Sequence, residues 1–249
     1  MPRSIVIQSL SIASLVGLWA GFAFFSQTEL LPPPQEVLVR MGAELQSGEL
    51  LIHCLATLWR VIAAFILAMG LGSFIGLVMG MHKKLGLFFD SWLLFLLNLP
   101  ALVVIILCYL WIGLDEVAAV LAVAINKIPN VAVTLREGAK ALDRDLAEMA
   151  KIYRLSPMSL VKNVILPQLT PYFAAAARSG LALIWKIVLV VELLGRSDGV
   201  GFQLHLFFQM FDVTGILAYS IAFIVIIWTI EYGLIRPWEK RVTAWRVGS

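Results

Sequence analysis

The chain has 249 residues, of which 61% are apolar and 14% are charged, and its formal net charge is +3. Soluble domains use about 45–50% apolar residues, so this composition, with a mean hydropathy of +0.92, excludes an ordinary soluble protein. The small net charge gives no reason to expect a nucleic-acid partner. The length is best divided into membrane spans of about 20 residues within a single domain, residues 1–249.

Six apolar runs predict six helices that cross a lipid bilayer. The predicted spans are residues 5–25, 53–81, 87–111, 117–135, 169–194 and 215–235. Each run is long enough for the apolar core of a membrane. Between the first two spans, Leu31-Pro32-Pro33-Pro34 ends a helix and residues 35–49 form a short amphipathic helix that we expect outside the membrane.

The second span carries Gly72, Gly76 and Gly80 at four-residue spacing. This spacing places three small residues on one helix face, where a neighbouring helix can approach closely. Packing within the same chain is the favoured interpretation. A seam between two copies of the chain is the alternative.

The longest charged interval, residues 143–167, follows the fourth span and must lie in water. Helical periodicity places four residues on one face of its first part: Leu146, Met149, Ala150 and Tyr153. Ser156-Pro157 supplies an N-cap and a first-turn proline for a second short helix, which Pro167 is predicted to close. Two amphipathic helices between spans indicate either a surface held by another protein or a structured loop.

Basic residues are distributed unevenly between the two sides of the predicted spans. Thirteen Lys and Arg residues fall on the side that holds both termini and the 143–167 interval, including a basic tail of Arg236, Lys240, Arg241 and Arg246. The other side holds two, Arg40 and Arg196. Because basic segments stay in the cytoplasm, we predict that both termini are cytoplasmic.

Four basic residues fall inside predicted spans, where a charge costs at least ~2.5 kcal/mol. They are Arg60, Lys127, Arg178 and Lys186. Lys186 lies roughly 9 Å from the outer end of its helix, so its side chain can also reach outward to the membrane surface. Glu192 is a possible ion-pair partner for any of the four.

The fourth span carries a polar stripe at three- and four-residue spacing, formed by Asn126, Lys127, Asn130 and Thr134. Hydrogen bonds between helices would explain such a stripe. The alternative is that the stripe lines a path for a solute.

Motifs for catalysis or nucleotide binding are not found in the sequence. Cys54 and Cys108 lie in apolar runs, as is typical of small buried side chains. The three histidines lack metal-ligand spacing, and the glycine-rich runs 70–80 and 195–201 lack the Gly-Lys-Ser/Thr ending that holds phosphate. We therefore predict no metal, no cofactor and no catalytic residue in this chain.

The 143–167 interval resembles a loop of ABC importer permeases, which starts Glu-Ala-Ala, has a glycine four residues after the second alanine, and ends Ile-x-Leu-Pro. The matching residues are Glu148-Met149-Ala150, Arg154 and Val164-Ile165-Leu166-Pro167. Met149 replaces an alanine and Arg154 replaces the glycine. Because arginine at positive φ costs roughly 1 kcal/mol where glycine does not, we expect a tighter or more helical turn.

The resemblance extends from Leu31 to Gly195 and points to the nitrate, sulfonate and taurine branch of these permeases. It implies an all-α membrane protein with the ABC type I importer permease fold, six transmembrane helices and a cytoplasmic coupling-helix loop. It also implies a bacterial inner membrane location and two ATPase subunits that bind ATP and Mg. The further partners that it implies are a second permease chain, which forms a homodimer with this one, and an extracytoplasmic solute-binding protein.

The resemblance also implies roles for particular residues. Those expected to contact the ATPase are Glu148, Met149, Ala150, Arg154, Leu155, Ser156, Pro157, Met158, Leu166 and Pro167. The polar stripe and the charges within the spans, rather than the resemblance, predict the residues of a solute path, which are Asn126, Lys127, Asn130, Lys186 and Glu192. Arg60 and Arg178 match positions where the family often has arginine, which favours a role in the shared scaffold.

The favoured function is thus the permease subunit of an ATP-driven importer for a small solute. Excess positive charge within the spans favours an organic or inorganic anion such as a sulfonate, nitrate or carboxylate. The alternative is a self-sufficient secondary transporter or channel with Lys127 and Glu192 as a charge relay, which leaves residues 143–167 unexplained. A membrane-embedded enzyme would need clustered His, Asp or Glu near one interface, and the sequence offers no such cluster.

Overall fold

The structure is a computed structural model that describes residues 2–26, 28 and 30–238. The basic tail residues Lys240, Arg241 and Arg246 lie outside this range. The α-helices are α1 (Pro2–Ser26), α2 (Pro34–Ser47), α3 (Glu49–Met81), α4 (Lys83–Asn98), α5 (Ala101–Ile112), α6 (Glu116–Lys140), α7 (Arg144–Ile152), α8 (Pro157–Leu160), α9 (Leu166–Gly195), α10 (Val200–Gln209) and α11 (Val213–Ile230). Two π-helical turns, Val161–Ile165 and Glu231–Ile235, follow α8 and α11. The described residues contain no strand, which confirms the all-α prediction.

Five helical segments are long and apolar enough to cross a membrane. They are Ser9–Ser26, Glu49–Met81, Glu116–Lys140, Pro157–Gly195 and Val213–Trp238. The predicted span 87–111 is instead the pair α4 and α5, bent by 93°. Pro100 lacks a backbone N–H, and Leu99 before it is extended (ψ 124°), so the helix breaks at this point.

The centre of the bundle is the close contact between α3 and α6. A Cβ added at Gly72 would lie 2.7 Å from Cβ of Val131, and one added at Gly80 would lie 2.5 Å from Cβ of Ala139. At Gly76 it would overlap the backbone of Ala132. The three glycines therefore face α6 of the same chain, where any larger residue would push the helices apart.

The chain from Pro157 to Gly195 is one uninterrupted helix. The prediction that Pro167 closes a short helix is wrong. The turn before it is π-helical, with the N–H of Leu166 donating to the carbonyl of Val161, and Pro167 falls in the first turn of α9. A widened turn makes room for the proline ring, and a first-turn proline has no N–H to leave unpaired.

α1 and α2 lie at the edge of the bundle. The α1 span is 6% buried, and the indole N–H of Trp19 donates to the carbonyl of Pro32 at 3.0 Å. α2 is held against α11, because the Tyr219 hydroxyl donates to Glu44 at 3.2 Å. α1 therefore leaves most of its apolar surface to lipid or to another chain.

Two ends of the bundle can be distinguished. At the Gly195 end, α3 begins, α6 begins and α9 ends. At the opposite end, which we call the α7 end, α3 and α6 finish and α7 lies beside the start of the Pro157–Gly195 helix.

Candidate functional site

A buried ion-pair cluster at the Gly195 end is centred on Arg60. The Arg60 side chain is 2% exposed, and its Nη1 lies 2.7 Å from Oε1 of Glu192, which is fully buried. Its Nε lies 2.9 Å from Glu116, and its Nη2 lies 2.5 Å from Asp198. One guanidinium on α3 thus holds three carboxylates, from α6, from α9 and from the loop after α9.

The second oxygen of Glu192 anchors α10. It accepts hydrogen bonds from the N–H of Gly201 at 2.8 Å and from the Thr57 hydroxyl at 2.9 Å. The Thr57 hydroxyl oxygen in turn accepts from the N–H of Val200 at 2.8 Å. The start of α10 is therefore fixed to both α3 and α9 through one buried carboxylate.

His53 completes this attachment. Its Nδ1 accepts a hydrogen bond from the N–H of Gly199 at 3.0 Å, so a neutral ring carries its proton on Nε2. The side-chain amide of Gln203 lies 2.7 Å from that Nε2. Because this nitrogen is then the donor, the network assigns the amide oxygen of Gln203 as its partner.

The sequence predicted Glu192 as a possible partner for an intramembrane cation, and the structure pairs it with Arg60. It did not single out His53 or Thr57. A signal was present, because His53, Thr57 and Arg60 recur at i, i+4 and i+7, which is one face of a helix. Asp198 follows α9 in a loop, and nothing in its local sequence indicates its partner.

Lys127 is as buried as Arg60, at 2% exposure, but it forms no ion pair with any described residue. Its side chain packs between α6, α3 and α9. A Cβ added at Gly180 would lie 3.7 Å from Cε of Lys127 and 3.6 Å from Cε2 of Phe65. This is a basic side chain within a candidate membrane span, and Phe65 and Gly180 are beside it.

The rest of the polar stripe on α6 is less buried than Lys127. Asn126, Asn130 and Thr134 are half-buried. The Thr134 hydroxyl donates to the carbonyl of Asn130 at 3.0 Å, and the Asn130 amide donates to the carbonyl of Asn126 at 3.5 Å. Lys127, Asn130 and Thr134 share one helix face, as their spacing predicts. Lys127 is buried beside Gly180 of α9, whereas Asn130 and Thr134 bond to carbonyls of their own helix.

Lys186 lies on the exposed side of α9, with its ammonium 5.6 Å from the centre of the Trp185 ring. A cation over an indole is favourable at about 0.5–1 kcal/mol when exposed. The residues predicted for a solute path therefore occupy four places in one chain. Glu192 lies in the Arg60 cluster, Lys127 beside Gly180, Asn126 and Asn130 half-buried on α6, and Lys186 on the exposed side of α9.

At the α7 end, α7 and α8 expose an apolar tip, defined as Ile152, Tyr153 and Met158. These side chains are 78%, 73% and 75% exposed. Ala150 on the opposite side of α7 is 2% exposed. Large apolar side chains that are grouped on a surface favour contact with another molecule.

The turn after α7 is left-handed at Arg154, where φ is 50°. The N–H of Leu155 donates to the carbonyl of Ala150 at 3.0 Å, which is the closing bond of a helix that ends in a left-handed residue. The expected tighter or more helical turn is wrong, because α7 stops at Ile152. Arg154 instead adopts the conformation that glycine favours, at a cost of roughly 1 kcal/mol.

The two ends of the 143–167 interval are tied by side-chain bonds. The Ser156 hydroxyl accepts from the N–H of Ser159 at 3.3 Å, which confirms the predicted N-cap of α8. The N–H of Asp143 donates to the side chain of Gln168 at 2.8 Å, and Asp143 in turn accepts from the N–H of Asp145 at 2.8 Å. The interval is thus held against the first turn of α9.

The residues predicted to contact an ATPase are distributed along this interval. Glu148, Met149 and Ala150 lie on α7, Arg154, Leu155 and Ser156 in the turn, Pro157 and Met158 on α8, and Leu166 and Pro167 at the start of α9. Glu148 and Arg154 are exposed. They flank the apolar tip with charges of opposite sign.

The described chain is a bundle of candidate membrane spans with an exposed helical segment, α7 and α8, at one end. Residues 56–232 match the family model of the binding-protein-dependent transport system inner membrane component. The chain belongs to this family and is the permease component of an ABC importer.

Relatives and solved structures agree with this assignment. The chain is 29% identical over 237 residues, 94% of its length and 85% of the relative, to SsuC of Bacillus subtilis (strain 168), named for the transport of aliphatic sulfonates. It is 25% identical over 252 residues, 98% of its length and 91% of the relative, to the taurine transport permease TauC of Escherichia coli (strain K12). An inward-facing structure of the MetNI methionine ABC transporter has the same fold, with a TM-score of 0.66 and 15% identity over 78% of this chain and 98% of that one.

Proposed function

We propose that this permease imports a small anion and is driven by two separate ATPase subunits that dock on residues 143–167. The exposed apolar tip is the observation that carries the docking. A helix that presents apolar side chains between charged ones is suited to a groove on a partner. ATP and Mg bind to the ATPase subunits, and this chain supplies the contact and the path.

The distribution of basic residues supports one orientation of the chain in the membrane. With thirteen Lys and Arg on one side and two on the other, the α7 end and both termini lie in the cytoplasm. An extracytoplasmic solute-binding protein then approaches the Gly195 end, where the Arg60 cluster holds α10 in place.

A second copy of this chain completes the pathway. The outer surfaces of α1 and α4 support an assembly larger than one chain, because Leu93 is the only residue of α4 that is buried. Two permease chains and two ATPase chains form the complex, with a path for solute between the permeases.

Unpaired positive charge supports an anionic solute. Arg60 is neutralised by its carboxylates, whereas Lys127 has no acidic partner among the described residues and Lys186 faces outward. An anion is the solute that such residual charge attracts. The sulfonate and taurine relatives are named for solutes that carry a sulfonate group.

Energy from ATP reaches the path through rigid movement of helices. The apolar tip lies on α7 and on the first turn of the Pro157–Gly195 helix. Closure of the ATPase dimer displaces the tip, and the helix carries the displacement into the membrane. Glu148 supports the docked position, so Glu148→Ala is expected to uncouple ATP hydrolysis from import.

The test is copurification of the ATPase with a tagged permease. Tyr153→Ser combined with Met158→Ser should release the ATPase, because the apolar contact is lost. Phe211→Ser is the matched control, since Phe211 is 81% exposed but lies in the turn between α10 and α11, at the Gly195 end. Equal ATPase retention by both variants, or ATP hydrolysis by the isolated permease, would sink the proposal.

A further inference from the structure

His53 holds the start of α10 through a bond that requires an unprotonated ring nitrogen. The ring is buried, and its Nδ1 accepts from the N–H of Gly199 at 3.0 Å. A neutral imidazole gains its second proton on the nitrogen that lacks one, here Nδ1, and both nitrogens are then donors. In the charged ring an N–H would face the N–H of Gly199, so this hydrogen bond is lost on protonation.

The dipole of α10 opposes a charged ring at the same place. Gly199 is the N-cap residue of this ten-residue helix, so the partial positive charge of the helix N-terminus faces His53. A neutral ring supplies an acceptor for one of the N–H groups that are unpaired at the start of a helix. Protonation of His53 and attachment of α10 to α3 therefore compete.

The charged ring has a partner of its own in Glu49, which lies one turn earlier on α3. Oε2 of this exposed carboxylate is 3.5 Å from Nε2 of His53. A charged N–H can form an ion pair with it. The ring thus has two arrangements, one neutral and bonded to Gly199, the other charged and paired with Glu49.

Other charged and titratable groups lie on the elements packed around His53. They are Arg40 and Glu44 on α2, Cys54 and Arg60 on α3, Glu192 on α9, Asp198 in the loop after α9, His205 on α10 and Tyr219 on α11. The Tyr219 ring centre is 6.3 Å from that of His53, and its hydroxyl donates to Glu44. The three carboxylates in this set are paired with arginines. Among the described residues, Glu49 is therefore the carboxylate that remains for a charged His53 ring.

We infer that His53 is a pH-sensitive attachment of α10, whose protonation breaks the bond to Gly199 and loosens the start of the helix. Imidazole is the side chain that changes charge between about pH 5 and 8, so the attachment holds at the upper end of this range and weakens as the pH falls. The bonds from Val200 to Thr57 and from Gly201 to Glu192 then hold α10 without it. In the proposed orientation the Gly195 end lies outside the cytoplasm, and the identity of the compartment whose pH is sensed rests on the proposed function.

The experiment measures amide hydrogen exchange of the full chain in nanodiscs between about pH 8 and pH 5, in peptides that contain residues 199–201. Each rate is divided by the intrinsic rate at that pH. In the parent, protection should fall about tenfold towards the acid end, as expected for the loss of one buried hydrogen bond. His53→Asn places an amide oxygen that does not titrate near the position of Nδ1, so protection should not change with pH.

His205→Asn is the matched control. It removes a histidine of α10 that bonds to Gln209 of the same helix at 2.8 Å, and it should behave like the parent. Glu49→Gln gives a second test at an exposed position, should His53→Asn be unstable. Because it removes the partner of the charged ring, protection should be lost at a lower pH than in the parent.

Three results would overturn the inference. The first is a parent whose protection is constant over the pH range. The second is a His53→Asn protein that loses protection as the parent does, because a carboxylate such as Glu192 would then be the group that titrates. The third is a Glu49→Gln protein that loses protection at the same pH as the parent. In each case, ATPase retention and anion import at neutral pH would leave the proposed function standing.

Discussion

Arg60 and Lys127 are both cations inside membrane spans, and both are 2% exposed. Arg60 lies among three carboxylates, whereas Lys127 has none among the residues that the structure describes. Removal from water is unfavourable for both charges, but only Arg60 has carboxylate partners that offset this cost. Burial alone therefore does not show whether a basic side chain is structural or available to a ligand. The presence or absence of carboxylate partners does.

The chemistry of the two side chains fits this division. The five N–H donors of a guanidinium form a rigid fork that can serve several carboxylates at once. Arg60 uses this fork between α3, α6, α9 and the following loop. A lysine ammonium is a compact charge on a flexible stem, which suits a group that must meet and release a solute.

The largest expected loss of stability is that of the Arg60→Met variant. It leaves Glu192 buried without its counter-charge, and breaking one side of a buried pair costs about 3–5 kcal/mol. Thermal unfolding of the purified permease in detergent measures the loss. Arg236→Met removes an arginine from a partly exposed pair with Glu231 at 3.3 Å and should cost no more than about 1 kcal/mol. Similar unfolding temperatures for the two variants would contradict the comparison.

The next largest loss of stability is expected for Gly201→Ala, which tests how tightly the residues around Glu192 are packed. The new Cβ would lie 2.8 Å from Cβ of Glu192, and overpacking of this kind costs about 1–3 kcal/mol. Gly180→Ala beside Lys127 is the counterpart, because its Cβ would make ordinary contacts at 3.6 Å and 3.7 Å. We expect lower stability for the first and unchanged or higher stability for the second, by the same unfolding assay. The comparison fails if both lose stability alike.

Lys127→Met is expected to separate stability from transport. Removal of an unpaired buried charge should leave the unfolding temperature unchanged or higher, while import of an anionic solute into liposomes falls by about tenfold, equivalent to ~1.4 kcal/mol. Lys84→Met should leave both unchanged. If the Lys127→Met protein unfolds at a lower temperature but transports normally, Lys127 has a structural role like that of Arg60.

The smallest effect concerns Arg154, a third cation, which is exposed and unpaired within the described chain. Arg154→Gly removes left-handed strain and should raise stability by roughly 1 kcal/mol or less, while it loosens the ATPase by about 0.2–1 kcal/mol if the arginine pairs with an acid of the partner. ATPase retention over rising salt measures the second effect, with Arg154→Lys as the charge-preserving control. If Arg154→Gly holds the ATPase as firmly as the parent at every salt concentration, the pairing is wrong.

Composition and periodicity predicted the helical class and five of the helices that are long and apolar enough to cross a membrane, because twenty apolar residues in sequence have few other solutions. The predicted span 87–111 is instead the bent pair α4 and α5. Composition and periodicity could not predict which carboxylates would pair with Arg60. Glu192 is 132 positions away and Glu116 is 56, so the pairing depends on how α3, α6 and α9 pack.

Helical spacing was also too coarse for Lys127. Neighbouring positions on a helix differ by about 100°, and positions three apart by about 60°. Lys127 shares a face with Asn130, but the spacing does not show that the Lys127 side chain is buried beside Gly180 of α9 while Asn130 is half-buried. Pro167 shows the same limit, because a local rule for helix ends does not anticipate the π-helical turn that precedes it.

The uninterrupted helix from Pro157 to Gly195 has a mechanical consequence. Its 39 residues extend roughly 58 Å, with part of the apolar tip at one end and Glu192 near the other. It is a lever: a tilt of about 5° around one end moves the other by about 5 Å. Because Glu192 carries the bonds that hold α10, we expect a push on Met158 to reach the Arg60 cluster at the Gly195 end with no need for a chain of side-chain rearrangements between them.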